Sequence, residues 1–317
     1  MSLVPFWFIV IAILWTGFFV LEGFDFGVGM LHDVVGRDEA ERRAAINTIG
    51  PLWDGNEVWL IVAGAGMFAA FPGWYATMFS ALYLALVLLL ASLIIRGVAF
   101  EYRGKRDAAR WRRTWDVLLT TGSLLAPLLI GVALGDLLHG LPINASQDFT
   151  GSFWDLLQPY AVFTGAAVIG FIIWTHVTAG RAFWLNVIEL AAILAVIAAV
   201  WLVYEHREGF AFAASTVTIA ACVVSIFVGL YPNVMVSSTN HAYNLTVYNT
   251  ASGAYSLKAM TVVVIIFLPL VLAYQSWTYY VFRKRVSSSD FRPAPEPSSD
   301  VSGSPAAEDA RPGPGAI

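Results

Sequence analysis

Charged residues are scarce in this chain. Only 13% of its 317 residues are Asp, Glu, Lys or Arg, while 58% are hydrophobic, and the mean hydropathy is +0.69. A chain of this length with so little polar material cannot cover the surface of a soluble globule. The net charge of −4 and the lack of a basic domain exclude nucleic-acid binding. We therefore expect a polytopic membrane protein.

Cysteine is nearly absent as well, since Cys222 is the single one. One cysteine cannot form an internal disulfide. The five histidines are scattered near the ends of apolar segments, without an HExxH-type pattern. A single histidine can ligate haem iron, but the spacing indicates no metal cluster. A basic n-region and a small-residue cleavage site are also missing at the start, so we expect the first apolar segment to be a retained span.

Long apolar runs are what the chain has in quantity. We predict an all-α polytopic membrane protein with eight transmembrane helices in two four-helix halves, forming a transmembrane domain over residues 1–285. The predicted spans are Pro5–Leu31, Pro51–Phe71, Tyr75–Phe100, Trp115–Leu138, Leu156–Val177, Phe183–Tyr204, Phe210–Leu230 and Leu257–Phe282. Residues 286–317 are rich in Pro, Ser and Ala, and we expect a disordered C-terminal tail.

Acidic residues interrupt the first two apolar segments. Glu22 and Asp25 close the first span, and Asp54 and Glu57 open the second. A spacing of three places each pair on one helix face, and His32 lies two turns beyond Asp25 on the same side. A carboxylate at membrane depth costs about 2.5 to 3.5 kcal/mol unless it faces protein or water, so such an acid indicates function.

Structural explanations exist for the same acids. Asp54 and Glu57 lie in a first helical turn, where the helix dipole favours acids. Glu22 and Asp25 could form a buried hydrogen bond or ion pair with a loop arginine at the cytoplasmic edge.

Other features near these acids also have structural explanations. Arg96 and Glu101 could extend toward the membrane surface and pair with neighbours. Gly23, Gly27 and Gly29 favour close helix packing over a phosphate loop, because the pattern is neither a strand-to-helix turn nor a Walker sequence.

Lys and Arg in the short loops predict the orientation. The basic residues cluster after the first and third spans, at Arg37, Arg42, Arg43, Arg103, Lys105, Arg106, Arg110, Arg112 and Arg113. We therefore expect these loops in the cytoplasm and the N-terminus outside. An even number of spans would place the C-terminus outside too, which Arg283-Lys284-Arg285 argues against.

A series of short motifs runs in order along almost the whole chain. It consists of Glu22-Gly23-Phe24-Asp25-Phe26-Gly27-Val28-Gly29-Met30, Arg42-Arg43, Asn47, Trp53-Asp54-Gly55-Asn56-Glu57-Val58-Trp59-Leu60, Phe68-Ala69-Ala70-Phe71-Pro72, Arg96-Gly97-Val98-Ala99-Phe100-Glu101-Tyr102-Arg103, Trp111-Arg112, Trp115-Asp116, Pro127, Gly131-Val132-Ala133, Pro142, Pro232 and Ser237-Ser238-Thr239. In these motifs the chain resembles subunit II of the cytochrome bd-type quinol oxidases of prokaryotic membranes.

The resemblance implies a membrane heterodimer. In it, a subunit I of similar fold carries haem b and haem d, oxidises quinol and reduces oxygen to water with cytoplasmic protons. It implies that this chain holds no haem or metal and stabilises subunit I, with possible binding of a small accessory subunit, membrane lipid or a structural quinone. The resemblance also implies a proton route, for which the candidates are Glu22, Asp25, Asp54 and Glu57.

Two departures leave open which acid conducts protons. Glu22 stands where the family commonly has Asp, and Glu57 stands where Gln occurs. The connections around spans five to seven are also short compared with some members of the family.

Two other functions compete with this interpretation. A proton-coupled secondary transporter would have broken helices at the midplane, and Pro127 and Pro269, in the last span of each half, favour it. The acids, however, lie off the midplane and in one half only. A scaffold for subunit I, with every acid in a packing ion pair, is the third possibility.

Overall fold

The computed structural model describes residues 2–159, 183–284 and 286–291, and within them the fold is helical with one short hairpin. The helices are α1 (Val4–Val35), α2 (Glu39–Asn47), α3 (Trp53–Ala70), α4 (Pro72–Ala81), α5 (Tyr83–Tyr102), α6 (Ala109–His139), α7 (Phe183–Tyr204), α8 (Glu208–Leu230) and α9 (Ala254–Val281). The hairpin consists of β1 (Asn233–Met235) and β2 (Leu245–Thr246), which pair antiparallel. Short 3₁₀ turns lie at Arg103–Lys105, Phe153–Leu156, His241–Tyr243 and Ser288–Phe291.

Six helices in the described ranges are long and apolar enough to cross a membrane. These are α1, α5 with the 3₁₀ turn that follows it, α6, α7, α8 and α9. The chain is therefore a multi-pass membrane protein. Helix α3 is shorter, at 18 residues, and its first turns carry Asp54, Asn56 and Glu57, and it is not among these six.

The predicted third span is divided in the structure. We predicted one helix over Tyr75–Phe100, but α4 ends at Ala81 and α5 begins at Tyr83, with Leu82 between them. Helix α4 also begins earlier, at Pro72. Proline suits this first helical position because its missing N–H would have no partner inside the helix there.

The two internal prolines do not break their helices. Helix α6 continues past Pro127, and α9 continues past Pro269. Membrane helices tolerate proline when neighbouring groups satisfy the freed carbonyl. The proline pair thus provides no broken helix of the kind that a transporter would have.

The helix directions follow from contacts at the two ends of the bundle. The end formed by the close of α1, by α2 and by the start of α6 carries the basic loops, and we call it the basic end. At the other end, Leu138 of α6 packs near Ile226 of α8, and the Leu141 N–H donates to the Val236 carbonyl at 2.9 Å. Helices α6 and α8 therefore both finish at this opposite end.

Helix α7 begins at the opposite end. It forms an antiparallel pair with α8 through a short link, residues 205–207. In the predicted order, span four and span six would run in the same direction. These spans correspond to α6 and α7, which run in opposite directions in the structure. Span five, predicted at Leu156–Val177, lies outside the described residues beyond position 159. These directions disagree with the predicted order, and the count of eight spans in two halves is not confirmed by the described residues.

Helix α9 runs parallel to α1. The Trp7 indole N–H, near the start of α1, donates to the carbonyl of Leu257 at 3.2 Å and to the hydroxyl of Thr261 at 3.0 Å, near the start of α9. Beyond the far end of α9, the Phe291 ring lies 5.4 Å from the guanidinium carbon of Arg43. The described C-terminal residues thus lie at the basic end, as Arg283-Lys284-Arg285 indicated. Residues 292–317, most of the predicted disordered tail, lie outside the described residues.

The opposite end is closed by loops that bond to one another. The side chains of Ser237 and Thr239 both donate to the Ile143 carbonyl, at 3.0 and 2.6 Å. Gly140, which leads out of α6, has a φ of 100°, a backbone conformation that favours glycine. The core lies beneath these loops, where α1, α3 and α4 pack on the hairpin around Met67, Phe71 and other fully buried residues.

Candidate functional site

Arg96 of α5 lies at the centre of the buried polar cluster. It is 0% exposed, and its Nη1 donates both to Glu22 Oε1 of α1 and, at 2.7 Å, to Glu57 Oε1 of α3. The Phe26 and Phe100 rings lie 4.8 and 5.3 Å from its guanidinium carbon. Such contacts stabilise a cation away from water. One arginine therefore joins three helices through two carboxyl groups.

Asp25 takes part in a second set of hydrogen bonds beside this cluster. The Asn56 amide nitrogen donates to Asp25 Oδ2 at 2.8 Å. The Asn56 oxygen accepts from the Tyr279 hydroxyl at 2.9 Å and from the Gln275 amide at 3.2 Å. Asn56 thus connects the acid on α1 to the polar side chains of α9.

The structure brings together three of the four candidate acids. Glu22 and Asp25 are buried, Glu57 has a side-chain exposure of 20%, and all three lie around Arg96 and Asn56. Asp54 is exposed and lies one turn before Glu57 on α3. In this arrangement Asp54 faces outward from the chain, and the other acids lie within it.

Some buried atoms of the cluster have no hydrogen-bond partner in the described part of the chain. They are Glu22 Oε2 and the Nε and Nη2 atoms of Arg96. Polar atoms buried without partners are costly. A helix bundle selected for stability alone has little reason to keep them. The cost is consistent with a functional role for this cluster.

His32 belongs to a different cluster, contrary to the prediction that grouped it with Glu22 and Asp25. Its Nε2 lies 3.1 Å from Asp116 Oδ1, and its Nδ1 lies 2.9 Å from the Gly29 carbonyl oxygen. Arg103 bonds to the same Asp116 and, at 2.9 and 3.0 Å, to both oxygens of Glu39. This second cluster closes the basic end between α1, α2 and α6.

Arg96 pairs with neighbours, as expected, but it does not extend toward the membrane surface, because its side chain is fully buried. Glu101 is exposed. The glycine prediction holds for Gly29, where an added Cβ would lie 2.0 Å from the Ser123 hydroxyl oxygen. It is wrong for Gly27, where an added Cβ would have no neighbour within 4 Å among the described residues outside its own turn of helix.

Three functional candidates were missed from the sequence. Asn56 and Tyr279 carry no charge and lie far apart along the chain, so no local pattern pairs them. Asp136 is fully buried near the end of α6, and neither carboxyl oxygen has a hydrogen-bond partner among the described residues. The signal for Asp136 was available, since it is an acid inside an apolar run.

An apolar cavity of about 490 Å³ lies between α1, α3, α4, α5, α6 and α8. Aromatic side chains contribute much of its wall, among them Trp15, Phe19, Tyr75, Phe79 and Phe227. Its size and lining suit an apolar ligand or part of a lipid chain. In the described ranges, no group of three or more His, Cys, Asp or Glu side chains is placed to hold a metal ion.

Comparison with known proteins identifies the family. The family model described as cytochrome bd terminal oxidase subunit II matches residues 3–174 and 165–282. Cytochrome bd ubiquinol oxidase subunit 2 of Bacillus subtilis (strain 168) is 40% identical over 91% of this chain and 98% of that protein. Cytochrome bd-I ubiquinol oxidase subunit 2 of Escherichia coli (strain K12) is 32% identical over 90% of this chain and 95% of that protein. The chain therefore belongs to the cytochrome bd terminal oxidase subunit II family.

Proposed function

We propose that this chain is the haem-free subunit II of a cytochrome bd-type quinol:oxygen oxidoreductase in a prokaryotic cell membrane. It stabilises a haem-bearing subunit I and lines part of the route that brings cytoplasmic protons to oxygen reduction. Family membership and the names of the relatives support the oxidase assignment. The observation that carries the proton route is the group of carboxyls around Arg96 and Asn56 within the bundle.

The orientation follows from the basic loops. Because Lys and Arg favour the cytoplasmic side, the basic end faces the cytoplasm and the N-terminus lies outside. Asp54 and Glu57 begin α3 near the basic end, so protons enter there. They pass to Glu22 or Asp25 and then toward the haem region of subunit I, where quinol is oxidised.

Subunit I covers the surface that this chain leaves open. In α9, from Ala254 to Val281, Leu257 is the buried residue, and large apolar side chains such as Phe267 and Trp277 are exposed. Lipid or protein can cover apolar side chains, but the polar start of α3 requires protein or water beside it. Haem b and haem d belong to subunit I. A small accessory subunit and membrane lipid complete the assembly.

The apolar cavity fits a structural role for a bound molecule. A quinone or a lipid chain would fill its aromatic-lined space without any charged contact. Such a ligand would stiffen the contacts between α1, α4 and α8 and take no part in proton transfer.

The first test replaces Asp54 with Asn in the assembled complex. We expect slower quinol-dependent oxygen consumption with unchanged haem absorption, because Asn cannot take up and release a proton. Glu101→Gln is the matched control, since Glu101 is an exposed acid at the same end of the bundle. Unchanged turnover in Asp54→Asn removes this residue from the route.

A second test separates an oxidase subunit from a proton-coupled transporter. The chain is purified with whatever accompanies it, and an optical spectrum is recorded. Haem absorption from a copurified partner supports the oxidase subunit. A colourless chain that purifies alone contradicts it.

A further inference from the structure

Glu22 and Glu57 share a single nitrogen atom. Both carboxyl groups contact Nη1 of Arg96 through their Oε1 atoms. The two acids come from different helices, α1 and α3, while Arg96 comes from α5. A guanidinium has five N–H donors and can bind a carboxylate through two of them at once. Here neither acid receives such a paired contact, so the arginine is divided between them.

The charges around Arg96 do not balance if every acid is ionised. Glu22 and Asp25 come from α1, and Glu57 comes from α3, where Asp54 lies one turn away. From α9, the Tyr279 hydroxyl donates to Asn56 beside this group. Helix α6 contributes the uncharged Gly122 to the packing. One cation thus faces Glu22, Asp25 and Glu57. Buried charges are stable only when paired, so at least one of these carboxyls holds a proton at any time.

The aliphatic part of the Arg96 side chain is packed tightly, while its guanidinium contacts both acids. A Cβ at Gly122 would lie 3.1 Å from the Arg96 Cβ, which shows how closely α6 packs on this aliphatic part. The Phe26 and Phe100 rings lie near the guanidinium. Because Nη1 already contacts both carboxyl groups, one contact can strengthen while the other weakens without movement of the helices.

We infer that Arg96 is the positioning residue of the proton route and pairs alternately with Glu57 and Glu22. This inference rests on the proposed function. When Glu57 takes up a proton from the Asp54 side, its carboxylate becomes neutral and Arg96 pairs with Glu22. Glu22 then releases its own proton toward Asp25 and keeps the negative charge that Arg96 balances. One proton enters and one leaves, and the charge of the pair does not change. Transfer of the proton from Glu57 to Glu22 then restores the starting state, in which Arg96 pairs with Glu57.

Two substitutions in the purified complex test this alternation through the pH profile of turnover per haem. Arg96→Met removes the cation that favours the ionised carboxyls, so the rising limb of the profile shifts to higher pH. In Glu57→Gln, Arg96 pairs with Glu22 alone and favours the ionised form of Glu22 more strongly. The rising limb of the profile therefore shifts to lower pH. Arg96→Lys keeps the positive charge and gives a profile closer to the unmodified one. Arg106→Met is the control, because Arg106 is exposed and stacks on Trp111, and we expect no shift.

Opposite shifts in Arg96→Met and Glu57→Gln support the alternation. Shifts in the same direction, or a lower amplitude without any shift, overturn it and leave Arg96 a structural residue. If Arg96→Met assembles without haem, Glu57→Gln and Arg96→Lys decide the question in the same way.

Glu22→Gln and Asp25→Asn distinguish this inference from the proposed function. Full turnover in both variants contradicts the proton route itself. Reduced turnover in both, with unshifted profiles in the Arg96 and Glu57 variants, contradicts only the role of Arg96.

Discussion

Asn56 is the residue on which the attachment of α9 at the basic end depends. Its side chain makes three hydrogen bonds, to Asp25, Gln275 and Tyr279. Asn56→Leu keeps a similar volume and removes all three. Gln275 and Tyr279 lie on α9, so at about 1 kcal/mol for each hydrogen bond the attachment of α9 loses about 2 kcal/mol. Tyr279→Phe and Gln275→Leu each remove one bond, at a cost of about 1 kcal/mol apiece.

Hydrogen–deuterium exchange of the backbone amides in the last turns of α9 measures this attachment. Since about 1.4 kcal/mol corresponds to a tenfold change, Asn56→Leu should speed local exchange about thirtyfold, and each single-bond variant about fivefold. Ser276→Ala is the control, because the Ser276 hydroxyl bonds only within α9, to the Leu272 carbonyl.

Comparison of these variants tests whether the hydrogen bonds of Asn56 hold α9 against the bundle. If Asn56→Leu exchanges no faster than Ser276→Ala, the hydrogen bonds do not hold α9 against the bundle. If Tyr279→Phe alone equals Asn56→Leu, the two bonds to α9 do not contribute separately, and the role assigned to Asn56 is wrong.

Two further predictions concern packing at the basic end. Gly29→Leu should destabilise the complex by at least about 1 to 3 kcal/mol through overpacking against Ser123, seen as a lower thermal midpoint, while Gly27→Ala, which has open space, should change it little. Arg103→Met should cost about 3 to 5 kcal/mol because it leaves the Asp116 carboxylate buried beside His32 without its cation. A thermal midpoint unchanged by Arg103→Met would show that this ion pair does not stabilise the fold.

Some features of the site were predictable because they depend on a short stretch of chain. The spacing of Glu22 and Asp25 on one helix follows from the helical repeat, and their burial follows from the apolar residues around them. The close packing at Gly29 also agreed with the local pattern. The same local reasoning failed for His32, because its partner Asp116 lies on another helix.

The side of the C-terminus shows a different limit. Counting spans and counting basic residues led to opposite conclusions, and sequence reasoning had no means to choose between them. The contacts of Trp7 with Leu257 and Thr261 decide the direction of α9. They place Arg283 and Lys284 at the basic end.

The sequence by itself determined the membrane class, the acids worth examining and the family resemblance, because composition, helical periodicity and ordered motifs are properties of the chain alone. Only the tertiary structure decided that Arg96 joins Glu22 to Glu57, that Asn56 links Asp25 to α9, and that Asp54 stays exposed. The physical reason is that an ion pair between helices depends on their relative positions. Those positions are set by packing between residues far apart in the chain.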